Sequence, residues 1–525
     1  MNRKLFLLIF FMFLCHFCRA DLVQEGKSLG IRPWEITVLN ALSIEVMSSS
    51  GAGSTLGGGT MESLTTFGSS TAISSMSSLA VDSVRSEFYL KQALFKCSKT
   101  EYRAALDDFR WSLIYYNRNA DAHFYIGVAL LELGDLTTAT DHFTKALELE
   151  PGMTRAFLFR GLAFSLMGNY APAIDSYTSC LKLDDNSTIA RFNRGIAFRA
   201  IAETDEALAD YSMILNKRDL ISALINRGNL FSCMGELQSA LEDYDKAAEQ
   251  AEREAVVLHN RALTRIEAGN NDGAVEDAEI LLQCGQLQDE ALLLKGIALM
   301  RSGKSAAASE AFTGYLERNP GKVYILYLRA SCRFDQRLYK DALSDLDMVL
   351  AREPLYASAL SLRGLTWKAL GNFSAAVSDF SAEISLNPEF TNSHIHKAEA
   401  LAGSGKYDEA AFECGAALEL TGQNPVISLQ KGLYHHMGGR HEDAIIDFSS
   451  VIEIQPDCAR AYYLRGNSLF NLGRYEEALS DYSRAIELDS LMRYAYCARA
   501  IVYEKLNNFS SAQEDWTTFG QVRKK

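Results

Sequence analysis

From about residue 86 onward, apolar side chains recur three and four residues apart in short runs broken by polar turns, and the whole pattern returns every 34 residues. Ala459 to Ser490 shows the unit most clearly. When Gly466 is counted as position 8 and Ala478 as position 20, position 20 is alanine in all thirteen units, from Ala105 to Ala512. Position 8 is glycine or alanine throughout, from Ala93 to Ala500, and only the step from Ala207 to Ala240 is 33 residues. The spacing predicts a helix, a short turn and a second helix in each unit. Small residues at positions 8 and 20 leave no bulky side chain between the two helices, so they pack closely. Glycine at position 15, as in Gly134, Gly168 and Gly473, marks the turn. Aromatics at position 24, such as Phe143, Tyr177 and Tyr482, are expected to fill the space toward the next unit. Proline at position 32 (Pro151, Pro320, Pro354, Pro388, Pro456) ends the second helix, because it has no amide proton for a continuing one.

These residues resemble the tetratricopeptide repeat family over about residues 86–525. The resemblance implies an all-α fold: an α-solenoid, a right-handed superhelix of antiparallel helix pairs. It also implies that the first helices line a concave groove that binds proteins or peptides, without catalysis. In that geometry positions 2, 5, 6, 9, 12 and 13 face the groove.

Before the repeats the pattern changes twice. Residues 1–20 have a basic start, an apolar run from Leu5 to Cys15 and small residues at Cys18 and Ala20, as in a secretory signal cut after Ala20. Residues 21–46 carry Trp34, Ile36, Val38, Leu39, Leu42, Ile44 and Val46 partly at helical spacing, which predicts a short helix that would cover the first unit. Residues 47–80 are rich in serine, glycine and threonine and read as a flexible linker. No later run is long and apolar enough to span a bilayer once the signal is removed.

The formal charge of -14 argues against nucleic acid as the main partner, since that needs clustered Lys and Arg. One charge pattern is regular. Position 7 is basic in eleven consecutive units, from Arg160 to Arg499, and position 23 is acidic in ten, including Asp210, Asp345 and Asp515. A basic stripe for an acidic ligand is one reading. Matched numbers of opposite sign favour a ladder of ion pairs between first and second helices, each contributing about 0 to 1 kcal/mol if exposed.

Candidate groove residues are apolar in the first half of the repeats: Leu90, Phe124, Leu158 and Phe192 at position 5 and Leu162 at position 9. They suit an apolar peptide or an amphipathic helix. Asn193, Asn226 and Asn260 occupy position 6 in succession, as one asparagine does in the clamp by which some relatives hold an acidic chaperone C-terminus. The supporting lysines and arginine of that clamp are missing here, so no clamp is expected and the asparagines are expected to bond within or beside the groove.

Candidate chemistry is sparse. Gly303-Lys304-Ser305 lacks the preceding glycine and strand of a phosphate loop. His394, His396, His435, His436 and His441 cluster in adjacent units, but without the spacing of a metal site. No catalytic residue, metal or cofactor is assigned. The eight cysteines outside the signal are scattered, and most read as buried thiols. Three glycosylation sequons, at Asn186, Asn372 and Asn508, fall in expected turns. Trp516 and Phe519 make the C-terminal edge a candidate for self-association. The function expected is a noncatalytic interaction scaffold in the secretory pathway, in the endoplasmic reticulum lumen or secreted, holding clients as a co-chaperone does. The alternative is a cytosolic or ciliary adaptor assembling a multiprotein complex.

Overall fold

The computed structural model describes residues 78–521. The signal, the expected helix of residues 21–46 and nearly all of the linker lie outside the described residues. Among those described, 26 helices follow one another as thirteen pairs, without a strand. The first helix, Ser78–Ser98, is the longest and begins inside the stretch read as linker. The chain divides into two compact units, Met1–Leu294 and Lys295–Lys525. Each is an α-solenoid of antiparallel pairs, and the helix Gln288–Arg301 contributes to both.

Helix ends follow the register. In every pair the residue at position 15 adopts a left-handed conformation, whether glycine, as at Gly134 (φ 80°), or not, as at Thr100 (φ 65°), Ala202 (φ 65°), Arg337 (φ 61°) and Asn507 (φ 59°). Each of the five prolines at position 32 follows a C-terminal cap; Leu136–Leu149, for instance, is capped by Glu150 before Pro151.

The core of each pair is a contact between positions 8 and 24. A Cβ built on Gly161 would lie 2.6 Å from the Tyr177 ring, and one on Gly466 would lie 2.7 Å from Tyr482. The aromatic therefore presses on the glycine of its own pair and also reaches the next unit as expected, Phe143 lying 6.1 Å from Phe159 and Phe380 5.7 Å from His396 between ring centres. All eight glycines at position 8 face an aromatic at position 24 in this way. Where position 8 is the larger alanine, three of the five pairs carry a non-aromatic instead: Ala278 with Ala262, Leu346 with Ala330 and Cys414 with Ala398. Volume added on one helix is removed from the other, as close packing requires.

The ladder of opposite charges is present and is buried. Arg194, Arg227, Arg261, Arg329, Arg363, Arg465 and Arg499 each donate two hydrogen bonds to the aspartate sixteen residues on. Lys397 and Lys431 make the corresponding pairs with Glu413 and Asp447. The same arginines reach back to the second helix of the preceding pair: Arg194 Nη1 to Thr178 Oγ1 at 3.1 Å, Arg499 Nη1 to Ser483 Oγ at 3.1 Å. Each arginine thus ties three helices together, and the basic stripe is turned inward onto carboxylates.

Candidate functional site

The first helices differ between the two units in what they show to solvent. In the unit Met1–Leu294 the apolar candidates at positions 5 and 9 are buried or partly buried. Phe124, Leu158 and Leu162 are at most 1% exposed, while Leu90 and Phe192 are partly buried against the core. The Phe124 ring meets Phe159 edge-on at 5.4 Å and Phe143 at 5.9 Å. From above, Arg155 at position 2 lays its guanidinium 4.6 Å from the Phe124 ring centre and pairs with Asp121. Phe124, Leu158 and Leu162 are therefore packing residues between neighbouring helices, and a ligand on this surface does not reach them. The apolar character that marked them as candidates is the character of a core.

The three asparagines bond within the fold. Asn193 donates to the Ile189 carbonyl at 2.9 Å. Asn226, fully buried, donates to the Ser222 carbonyl at 2.8 Å and accepts from Arg199 Nη1 at 3.0 Å. Asn260 donates to Asn229 Oδ1, which also accepts from the Tyr244 hydroxyl.

In the unit Lys295–Lys525 the first-helix face is open. All six residues at position 2 in the pairs after Val323 are exposed: Tyr324, Ser358, Asn392, Val426, Arg460 and Tyr494. Val426 is 73% exposed and Tyr494 65%. Below them Lys368 donates to Glu399 Oε2 at 2.6 Å, and His396 Nδ1 lies 3.4 Å from the same oxygen. These contacts hold the Glu399 carboxyl down at about 2, His396 first and Lys368 after it. Tyr324, Tyr327 and Tyr356 form a cluster on this side, with the Tyr327 and Tyr356 rings 5.5 Å apart. Glu383 lies beneath, 3% exposed. Nothing in the sequence reading pointed to Glu383. The register contained the signal, because the other twelve units carry an uncharged residue at its position, from Ser112 and Ala146 to Ala485 and Phe519.

At one rung of this unit the side-chain tie to the preceding pair is missing, while Lys431 keeps its own pair with Asp447. Lys431 replaces arginine, and Gly415 stands where the preceding pair would offer a second contact. A depression of about 390 Å³ opens there, lined by Phe412, Gly415, Lys431 and His435 among others.

The other candidates are distributed. His394 and His435 bond the ladder carboxylates of Glu413 and Asp447, both at 2.7 Å, and His436 bonds Ser468. Among the described residues no group of three or more His, Cys, Asp or Glu is arranged to hold a metal ion. Cys97, Cys180, Cys332 and Cys414 are buried, Cys233 is exposed and the others are partly buried, all as free thiols. Burial pushes the Cys180 and Cys414 thiols up to about 12, far from reactive thiolates. Asn186, Asn372 and Asn508 sit in exposed turns; the last two cap second helices through Oδ1. Trp516 donates to Glu504, and Arg493 stacks 3.9 Å over Phe519, so both aromatics are engaged within their own pair. Among the described residues no helix is long and apolar enough to cross a membrane.

Sequence profiles of the tetratricopeptide repeat match residues 98–187 nearly end to end, 259–425 in overlapping windows, and 459–490. A tetratricopeptide repeat and J domain-containing co-chaperone of Fusarium oxysporum is 26% identical over 154 residues, covering 28% of this chain and 30% of the relative. RNA polymerase II-associated protein 3 of Xenopus tropicalis is 28% identical over 143 residues, covering 27% of this chain and 20% of the relative. The chain thus spans less than a third of the length of either curated relative. Among solved structures, a tetratricopeptide repeat protein from Parabacteroides merdae is 21% identical, covering 47% of this chain and 98% of its own, with a TM-score of 0.35. YrrB, titled a TPR protein with an unusual peptide-binding site, is also 21% identical, covering 36% of this chain and 98% of its own, with a TM-score of 0.33. With these profiles matching in both units over more than half the chain, and thirteen helix pairs in one register, the chain belongs to the tetratricopeptide repeat family.

Proposed function

We propose that this chain is a noncatalytic scaffold that binds protein or peptide segments on the first-helix face of the unit Lys295–Lys525, and that it works in the secretory pathway as a holder of clients. The observation that carries the binding reading is the row of exposed residues at position 2, with Tyr324, Val426 and Tyr494 as its apolar members. Large apolar side chains held outward in register on stiff helices offer anchor points to an extended or helical segment. The compartment is supported by the signal-like start, by three sequons in exposed turns, and by a relative named as a co-chaperone. The cytosolic or ciliary adaptor remains the competing reading, supported by free thiols and by the second relative's name.

Two experiments test it. The full chain should suppress aggregation of a chemically denatured model protein, and the triple variant Tyr324→Ser, Val426→Ser, Tyr494→Ser should lose that effect while keeping its helical circular dichroism. Equal suppression by the folded triple variant would remove this face from the function. Expression in eukaryotic cells should give a chain starting at Asp21 whose mobility shifts with glycosidase. An intact, unshifted chain would favour the adaptor.

A further inference from the structure

Glu383 breaks the rule of its own position. Its counterparts in the neighbouring pairs are Val349 and Ala417, both core residues, and it occupies the same buried place with a carboxyl group. Among the described residues no group donates a hydrogen bond of good geometry to its Oε2, although the Ser393 and Ser361 hydroxyls lie near the carboxyl. Burial pushes the carboxyl above its usual range, an effect that Ser393, Ser361 and His396 offset only in part. A buried carboxylate without a counter-charge is among the more costly features a core can hold. His396, whose charge acts on Glu383, is directed at Glu399, as is Lys368.

What surrounds Glu383 narrows the possible occupant. Position 5 of its pair is Ser361, where the neighbouring pairs carry Tyr327 and Ile395, so a short side chain stands between the open face and the carboxylate. Tyr327 lies within the field of both Glu383 and Tyr324, and Tyr356 within that of Tyr327 and Tyr324. Tyrosine faces attract cations, as a carboxylate does. An apolar occupant would leave the carboxylate unpaired, and an acidic one would be repelled.

We propose that this part of the first-helix face is a subsite for a lysine or arginine side chain of the bound segment, whose charged head pairs with the Glu383 carboxylate past the short Ser361 side chain and lies among Tyr324, Tyr327 and Tyr356. The proposal rests on the reading of this face as the binding face and adds the charge of its ligand. It is opposite in sign to a carboxylate-holding clamp.

The test begins by selecting peptides from a random displayed library on the full chain. Selected peptides should share one lysine or arginine. A synthetic copy with that residue changed to norleucine or citrulline should bind the native chain about tenfold or more weakly. Against Glu383→Gln the peptide and its neutral copy should differ little. Ser361→Leu, which restores the residue type of Leu158 and Leu429, should weaken the charged peptide while Glu383 is intact. Glu383→Gln should melt no lower than the native chain, because it removes an uncompensated charge. Selected peptides without a shared basic residue, or an equal loss on Glu383→Gln, would overturn the subsite while leaving the binding face standing. Failure to select any peptide would overturn both readings.

Discussion

Arg329 holds Asp345 in a two-point fork, Nε to Oδ2 at 2.9 Å and Nη2 to Oδ1 at 2.7 Å, while its remaining nitrogen reaches Thr313 on the preceding pair. Asp345 also accepts from Arg333 at 2.6 Å and is fully buried. The ladder of which this pair is one rung is therefore a structural spine, not a set of surface ion pairs.

Breaking one rung should cost far more than an exposed pair. Arg329→Ala leaves a buried carboxylate with only Arg333 and should destabilise the unit by about 3 kcal/mol or more. Replacing both partners, Arg329→Met with Asp345→Leu, should be milder than either single change. Chemical denaturation of the three variants measures this, and additive losses would show that the two residues are not coupled.

The contact of Gly161 with Tyr177 sets a second expectation. Gly161→Ala forces a methyl group into the ring and should destabilise by about 1 to 3 kcal/mol, although alanine is the better helix former. Combined with Tyr177→Leu, the pairing already found at Ala330 and Leu346, it should recover part of the loss. A single variant as stable as the native chain would mean that the ring shifts freely.

At position 15 the opposite change should help. Thr100 and Arg337 hold left-handed backbone without the freedom of glycine. Thr100→Gly should stabilise by about 1 kcal/mol, and Gly134→Thr should destabilise by a similar amount. Thermal melting of the two reciprocal variants checks both signs.

Acid should weaken the first unit before it titrates carboxylates. Burial lowers His259 from 6.5 to about 4. His142 is likewise lowered to about 4, by burial first and then by the charge of His123, whose Nδ1 is 3.1 Å from its own. As pH falls below 6.5 the unfolded chain takes up protons that the folded chain refuses until about pH 4. The stability these neutral histidines carry is thus present above 6.5 and lost across that window, about 3 kcal/mol for His259. His259→Gln should flatten the slope of stability against pH between 6.5 and 4, and an unchanged slope would assign the titration elsewhere.

Phe124→Ser and Leu158→Ser are expected to act on folding rather than on binding. Removing either side chain leaves a cavity in a sealed core and should cost about 3 to 5 kcal/mol, with reduced helical signal on mild heating. Loss of partner binding at full stability would place these residues on a surface after all.

The sequence by itself determined the repeat, the two helices of each unit, the turn, the proline stop and the charge ladder. Each depends on residues close in the chain or at one fixed spacing, and local backbone preferences and helical period carry that information. It also placed Asn186, Asn372 and Asn508 in turns, because turn and register are one signal. Phe124 and Val426 show what it left open. Both stand at positions that the family geometry turns toward the groove, yet Phe124 is fully buried and Val426 is among the most exposed large apolar residues of its unit. How far neighbouring first helices cover one another depends on many side chains from several pairs, such as Arg155 lying over Phe124, and no single position records it. The same is true of Glu383. Its letter is odd for its place in the register, but only the packing of Ser361, Ser393 and the tyrosines around it makes it a buried charge beside an open face. Burial is a property of what surrounds a residue, so tertiary structure alone decided it.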